Sequence, residues 1–138
     1  MEGQSNNCGL GRILNLIASL QRSSKCESII DNSCIRPYLG TPANLECYNT
    51  RPVTFYGCNN NLIAVNYTII TDGVVENLTS SVFRVESVQD CTAVVTILRE
   101  NPDTTVTNRP YITTNQTATI NLNCICAIKC LQDTIVDL

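Results

Sequence analysis

Three cysteines fall within the seven residues Cys124-Ile125-Cys126-Ala127-Ile128-Lys129-Cys130, in a chain that holds nine cysteines and no histidine. Thiols at such density bind metal, act as nucleophiles or join chains. A structural zinc site wants ligand pairs that converge in a tight turn, commonly Cys-x2-Cys, with histidine or further thiolates closing a tetrahedron. Cys-x-Cys on a strand spreads its sulfurs too far for that, and no other close cysteine pair exists. A nucleophilic cysteine wants a base beside it, usually histidine, to raise its thiolate fraction. The chain has none, and it carries neither a phosphate-cradling glycine loop nor a paired-carboxylate motif. The expectation is no metal, no cofactor and no catalysis.

Covalent cross-linking remains. Cys8 precedes a helical stretch, Cys26 and Cys34 lie among loop residues, Cys47 precedes a strand, Cys58 opens a turn and Cys91 sits at a hairpin. Thiols at turns and element ends are where chains can meet. Nine is odd, so at least one thiol stays reduced, binds something or pairs between chains.

The composition frames this chemistry. At 138 residues the chain can bury a core without disulfide staples. Only 15% of residues are charged, and the net charge is −3. A surface of amides and hydroxyls repels its neighbours weakly, so packing many copies together costs little electrostatic work. No basic cluster points to nucleic acid, and no apolar run is long enough to insert in a membrane. The opening residues Met1 to Asn7 show no basic or long apolar region, so no signal peptide is expected. Synthesis in a reducing cytoplasm then conflicts with ready-made disulfides, and oxidation must follow a change of compartment. The sequons at Asn66, Asn77 and Asn115 are expected to stay unmodified.

The elements that must position the cysteines read from periodicity. Leu10, Ile13, Leu14, Ile17 and Leu20 recur at helical spacing, which predicts one amphipathic helix over 9–22. Its apolar stripe packs on the core or docks on a neighbouring subunit. Period-2 patterning follows: Val53 to Tyr56, residues 62–70, a hairpin of 82–88 and 92–99 around Gln89-Asp90, and a last strand from Thr117. On that last strand Cys124 and Cys126 share a face with Ala118, Ile120 and Leu122, so burial as small apolar residues is an alternative for them. The expected fold is mainly β: one antiparallel, β-sandwich-like domain over 1–138, with an N-terminal arm (1–8), the helix (9–22) and a β core (50–131).

Several stretches together resemble the spore coat protein Y/Z family of the spore crust and exosporium. They are Cys8 with the Ile/Leu-rich helix ending Leu20-Gln21, Arg36-Pro37-Tyr38-Leu39-Gly40 after Cys34, Asn49-Thr50-Arg51-Pro52, Phe83-Arg84-Val85-Glu86-Ser87-Val88 with Cys91, and Cys124-x-Cys126-Ala127-Ile128-x-Cys130-Leu131. The resemblance covers nearly the whole chain. It implies a structural protein, made in the mother cell, that assembles with itself and with other coat proteins. The implied assembly is a two-dimensional, hexagonal array built on a hexamer and locked by inter-subunit disulfides. It departs from the family pattern where the acidic stretch after Val88 shrinks to Gln89-Asp90. Thr117 also stands where the family has a cysteine, and the cysteine after Asn77-Leu78-Thr79 is missing. A monomeric β-sandwich that recruits other coat proteins through its helix is the alternative, and a secreted disulfide-rich domain a third reading.

Pairing of the hairpin strand with the last strand sets the start of one beside the end of the other. Cys91 is then expected to bond Cys124 or Cys126 within one subunit, near the Cα separation of about 5.5–6 Å that disulfides favour. Cys8 and Cys58 find no obvious partner in their own chain and are assigned to inter-subunit bonds. Cys26, Cys34, Cys47 and Cys130 stay unassigned.

Overall fold

A computed structural model of the chain describes residues 8–23, 48–106 and 108–138. The predicted helix is α1 (Gly9–Ser23). Seven strands follow: β1 (Val53–Gly57), β2 (Val65–Thr71), β3 (Val74–Ser80), β4 (Val82–Gln89), β5 (Thr92–Glu100), β6 (Tyr111–Asn121) and β7 (Ile125–Cys130). A five-stranded sheet runs β6-β5-β4-β1-β7 and a two-stranded one pairs β2 with β3, with every pairing antiparallel. The expected fold class holds: mainly β, with one N-terminal helix.

Local chemistry explains the elements. Two-residue turns with both φ positive match the right-handed twist of flanking strands. The β2–β3 turn is of this kind, with Asp72 at φ 53° and Gly73 at φ 79°. So is the β4–β5 turn, with Asp90 at 51° and Cys91 at 62°. Within β6, Asn115 takes φ 61° where the register against β5 shifts between Thr96 and Leu98, a bulge that bends this long strand.

Leu122 to Cys124 form a single 3-10 turn that links β6 to β7, the two opposite edges of the larger sheet. The four Cα steps from Asn121 to Ile125 reach at most about 14 Å. Five flat strands would separate the edges by roughly 19 Å. The sheet therefore curls until its edges approach at this end. One core results, in which Leu14, Ile17 and Ala18 of α1 and Tyr67 of β2 cluster with Val53, Phe55, Phe83, Val85, Val95 and Ile97. Phe55 and Phe83 stack at 5.6 Å between ring centroids, inside the range aromatic pairs prefer.

The helical stripe splits. Leu14 and Ile17 are buried, but Ile13 and Leu20 face outward together with Leu16, and Leu10 is half-buried. The buried face is completed by Gly11, Ala18 and Gln21. Gln21 is polar yet buried because it bridges three segments. Its amide donates to the Val85 carbonyl (2.8 Å), and its carbonyl accepts the Arg51 N–H (2.9 Å).

Candidate cross-linking site

The thiols occupy three places in the described structure. The first is the end of β1. Gly57 leads into a tight turn closed by Gly57 N–H to Asn61 O and Asn60 N–H to Gly57 O, both 2.9 Å. Asn60 adopts φ 65°, which asparagine tolerates well. The register of β1 against β7 slips between Tyr56 and Gly57, where Tyr56 faces Ala127 and Gly57 faces Ile125. Cys126 is the extra residue of that bulge. It lies opposite the turn that carries Cys58, and the two are joined by a disulfide with Cα atoms 4.8 Å apart. The expected assignment of Cys58 to an inter-subunit bond is corrected: its partner is Cys126 of the same chain. The expected pairing of Cys126 with Cys91 is corrected with it, because the 3-10 turn carries Cys126 onto β7 and away from the end of β6.

The second place is the outer edge of the sheet. Cys124 ends the 3-10 turn and Cys130 ends β7, and both are exposed thiols. Asn121 caps the turn by accepting the Asn123 N–H (3.0 Å). This turn breaks the last strand, so the period-2 expectation that Cys124 shares a buried face with Leu122 fails: Leu122 is buried and Cys124 is not. Cys130 pairs with Val53 and lies near Arg51. Arg51 binds Asp133 with two hydrogen bonds, at 2.7 and 3.0 Å. That bond and the Asp133 charge raise the Arg51 guanidinium above its ordinary value, and Cys130 adds a smaller contribution in the same direction.

The third place lies between α1 and the β4–β5 turn. Cys8 is half-buried just before the helix, Cys91 is buried in the turn, and Cys8 packs against the core cluster that contains Cys91. Interaction with the Cys8 thiol, then burial, then the nearby charges of Cys8 and Asp90 push the Cys91 thiol up to about 11. The expected contact of Cys91 with Cys124 is corrected, because Cys91 is buried and Cys124 exposed, while Cys8 is a free thiol. The β4–β5 turn and the end of β6 do meet, since the Leu122 N–H donates to the Cys91 carbonyl (2.8 Å). The side chain of Cys91 turns inward to the helix instead. Cys26, Cys34 and Cys47 lie outside the described residues.

Two of the motifs that carry the family resemblance, Asn49-Thr50 and Arg84 to Glu86, converge on one polar strut, while Arg36 to Gly40 lie outside the described residues. Buried Arg84 donates to Thr50 Oγ1 (2.9 Å), Glu86 Oε1 (2.7 Å) and the Asn49 carbonyl (3.2 Å). Glu86 also accepts from Thr96 Oγ1 (2.7 Å). Asn49 in turn exchanges two hydrogen bonds with the Val136 backbone, at 2.8 and 3.0 Å. These hydrogen bonds fasten β4, β5 and the Asn49-Thr50 segment to the C-terminal segment at Val136. Among the described residues no group of three or more Cys, Asp or Glu could hold a metal, and no helix is long and apolar enough to cross a membrane.

No curated protein and no solved structure matches the chain. The family model described as spore coat protein Z matches residues 2–133, nearly the full length. On that match over nearly its full length, the chain belongs to the spore coat protein Z family, which implies a structural role in the spore coat and a place at the spore surface.

Proposed function

We propose that the protein forms a two-dimensional array of its own copies, hexagonal and built on a hexamer, as a protective crust or exosporium layer. Contacts form first, in the mother-cell cytoplasm, and inter-subunit disulfides follow on oxidation. One observation carries the reading: two separate elements expose large apolar side chains. On α1 these are Ile13, Leu16 and Leu20, and at the β2–β3 hairpin they are Ile70, Val74 and Val75, with Ile70 72% exposed. A chain of low charge seldom leaves such groups bare unless something covers them. A lattice needs more than one contact surface per subunit, and two apolar patches supply that. Cys124 and Cys130, exposed at the sheet edge, are the thiols best placed for bonds between subunits. Other coat proteins are the partners at the array boundary.

Electron microscopy and light scattering of concentrated protein, with and without reductant, test this. Ordered arrays are expected in both conditions. Oxidised arrays should survive heating that disperses reduced ones, and Cys124→Ser/Cys130→Ser should lose the covalent ladder on non-reducing gels. Monodisperse monomer in both conditions overturns the array and leaves a monomeric module that recruits other coat proteins.

A further inference from the structure

We propose that Cys8 and Cys91 are a second, intrachain disulfide pair, which on oxidation fastens the start of α1 to the β4–β5 turn. Three independent features meet here. Cys91 lies in the buried core cluster and Cys8 packs against that cluster. Gly11 brings the first turn of the helix against the end of β4: a Cβ there would lie 3.5 Å from both the Cys8 Cβ and Val88 Cγ1, and 3.6 Å from the Cys8 Sγ. Finally, Cys91 holds φ 62° at the second position of a two-residue hairpin turn, where glycine is the favoured residue. A side chain kept at such a position calls for a gain that offsets the backbone cost. Here that side chain is buried in the cluster that Cys8 packs against, and the Leu122 N–H bond to the Cys91 carbonyl fixes its backbone.

The oxidant is a low-molecular-weight disulfide. Cys91 is buried and, with its thiol held up at about 11, stays protonated at neutral pH. Half-buried Cys8 therefore meets the oxidant first. Its thiolate attacks one sulfur of the small disulfide, forming a mixed disulfide and releasing one small thiolate. The Cys91 sulfur, losing its proton, then attacks the Cys8 sulfur and displaces the second small thiolate. Two protein thiols are oxidised, one external disulfide is reduced to two thiols, and two protons leave the protein. Attack within the pair is favoured because the fold holds Cys8 against the cluster that contains Cys91.

The test uses the full chain, reduced, held dilute, treated with oxidised glutathione, alkylated and mapped without reduction. The expected result is a Cys8–Cys91 linked peptide in the monomer fraction. Oxidation should also raise Tm by roughly 5–10 °C more in the parent than in Cys8→Ser or Cys91→Gly, both of which keep the Cys58–Cys126 bond; glycine is chosen at 91 because it suits the turn. Cys8 linked to another chain, or both thiols still alkylated after oxidation, overturns the pair. Dilution keeps the outcome independent of whether arrays form.

Discussion

Arg84→Ala removes the centre of the polar strut and should be among the most damaging single substitutions in the chain. Arg84 is 7% exposed and makes three hydrogen bonds, to Thr50, Glu86 and the Asn49 carbonyl. Its loss leaves the partly covered Glu86 carboxylate without its counter-charge and the Asn49 carbonyl without a donor. Breaking a buried pair by removing one partner costs about 3–5 kcal/mol. Glu86 keeps its bond from Thr96 and its side chain is 33% exposed, so water recovers part of the loss. The expected cost is therefore about 3 kcal/mol, near the lower end of that range. That corresponds to a fall in Tm of roughly 10 °C. Arg84→Met with Glu86→Gln removes both charges and keeps the volume, and it should recover at least half of the loss. Denaturant unfolding of reduced protein with an unchanged m-value is the assay. A cost below about 1 kcal/mol for Arg84→Ala, or a double variant no better than the single one, would refute the strut.

Leu14→Ala should cost roughly 2–5 kcal/mol, since Leu14 is fully buried; Leu16→Asp should leave Tm within a degree or two but abolish assembly in light scattering. The hydrogen bond from Arg51 lowers the Asp133 carboxyl below its ordinary 3.8. Its stabilisation is thus present above that pH and lost as pH falls through the folded value. Acid titration of stability should show Asp133→Asn losing this pH dependence and about 0.5–1 kcal/mol at neutral pH, small because both side chains are over a third exposed. The raised Cys91 thiol works in the opposite sense: its contribution is present below the ordinary value of 9.0 and is lost as pH rises towards about 11. Reduced parent should therefore lose stability between pH 9 and 11 more steeply than Cys91→Ser, as read by thermal unfolding across that range.

What the sequence revealed and what it hid follow from whether a pattern reports burial. The helix was legible because Leu10, Leu14 and Ile17 recur at its period. Ile13 and Leu20 carry the same hydrophobicity on a face the core does not cover, so composition could not sort them from Leu14. Gln21 was invisible as a buried residue, since only the meeting of α1, β4 and the Arg51 segment makes its amide useful there. Strand β3 was missed because its residues Val74 to Thr79 are all exposed and no burial enforces alternation. The start of β6 was missed for a related reason: the bulge at Asn115 interrupts the period that begins again at Thr117. The cysteine pairing failed at one point in the chain. Ala118 to Ile128 reads as continuous alternation, and nothing local distinguishes a strand that continues from one that breaks at Leu122. The break is set by the curled sheet, whose edges lie close enough for three residues to join them. A one-residue offset in a strand inverts which face every later side chain takes. The 3-10 turn has that effect at buried Ile125, and the bulge at Cys126 reverses it at Ile128, so Cys124 is exposed in the turn, Cys126 meets Cys58, Cys130 ends the edge strand exposed, and Cys8 packs against the cluster that holds Cys91.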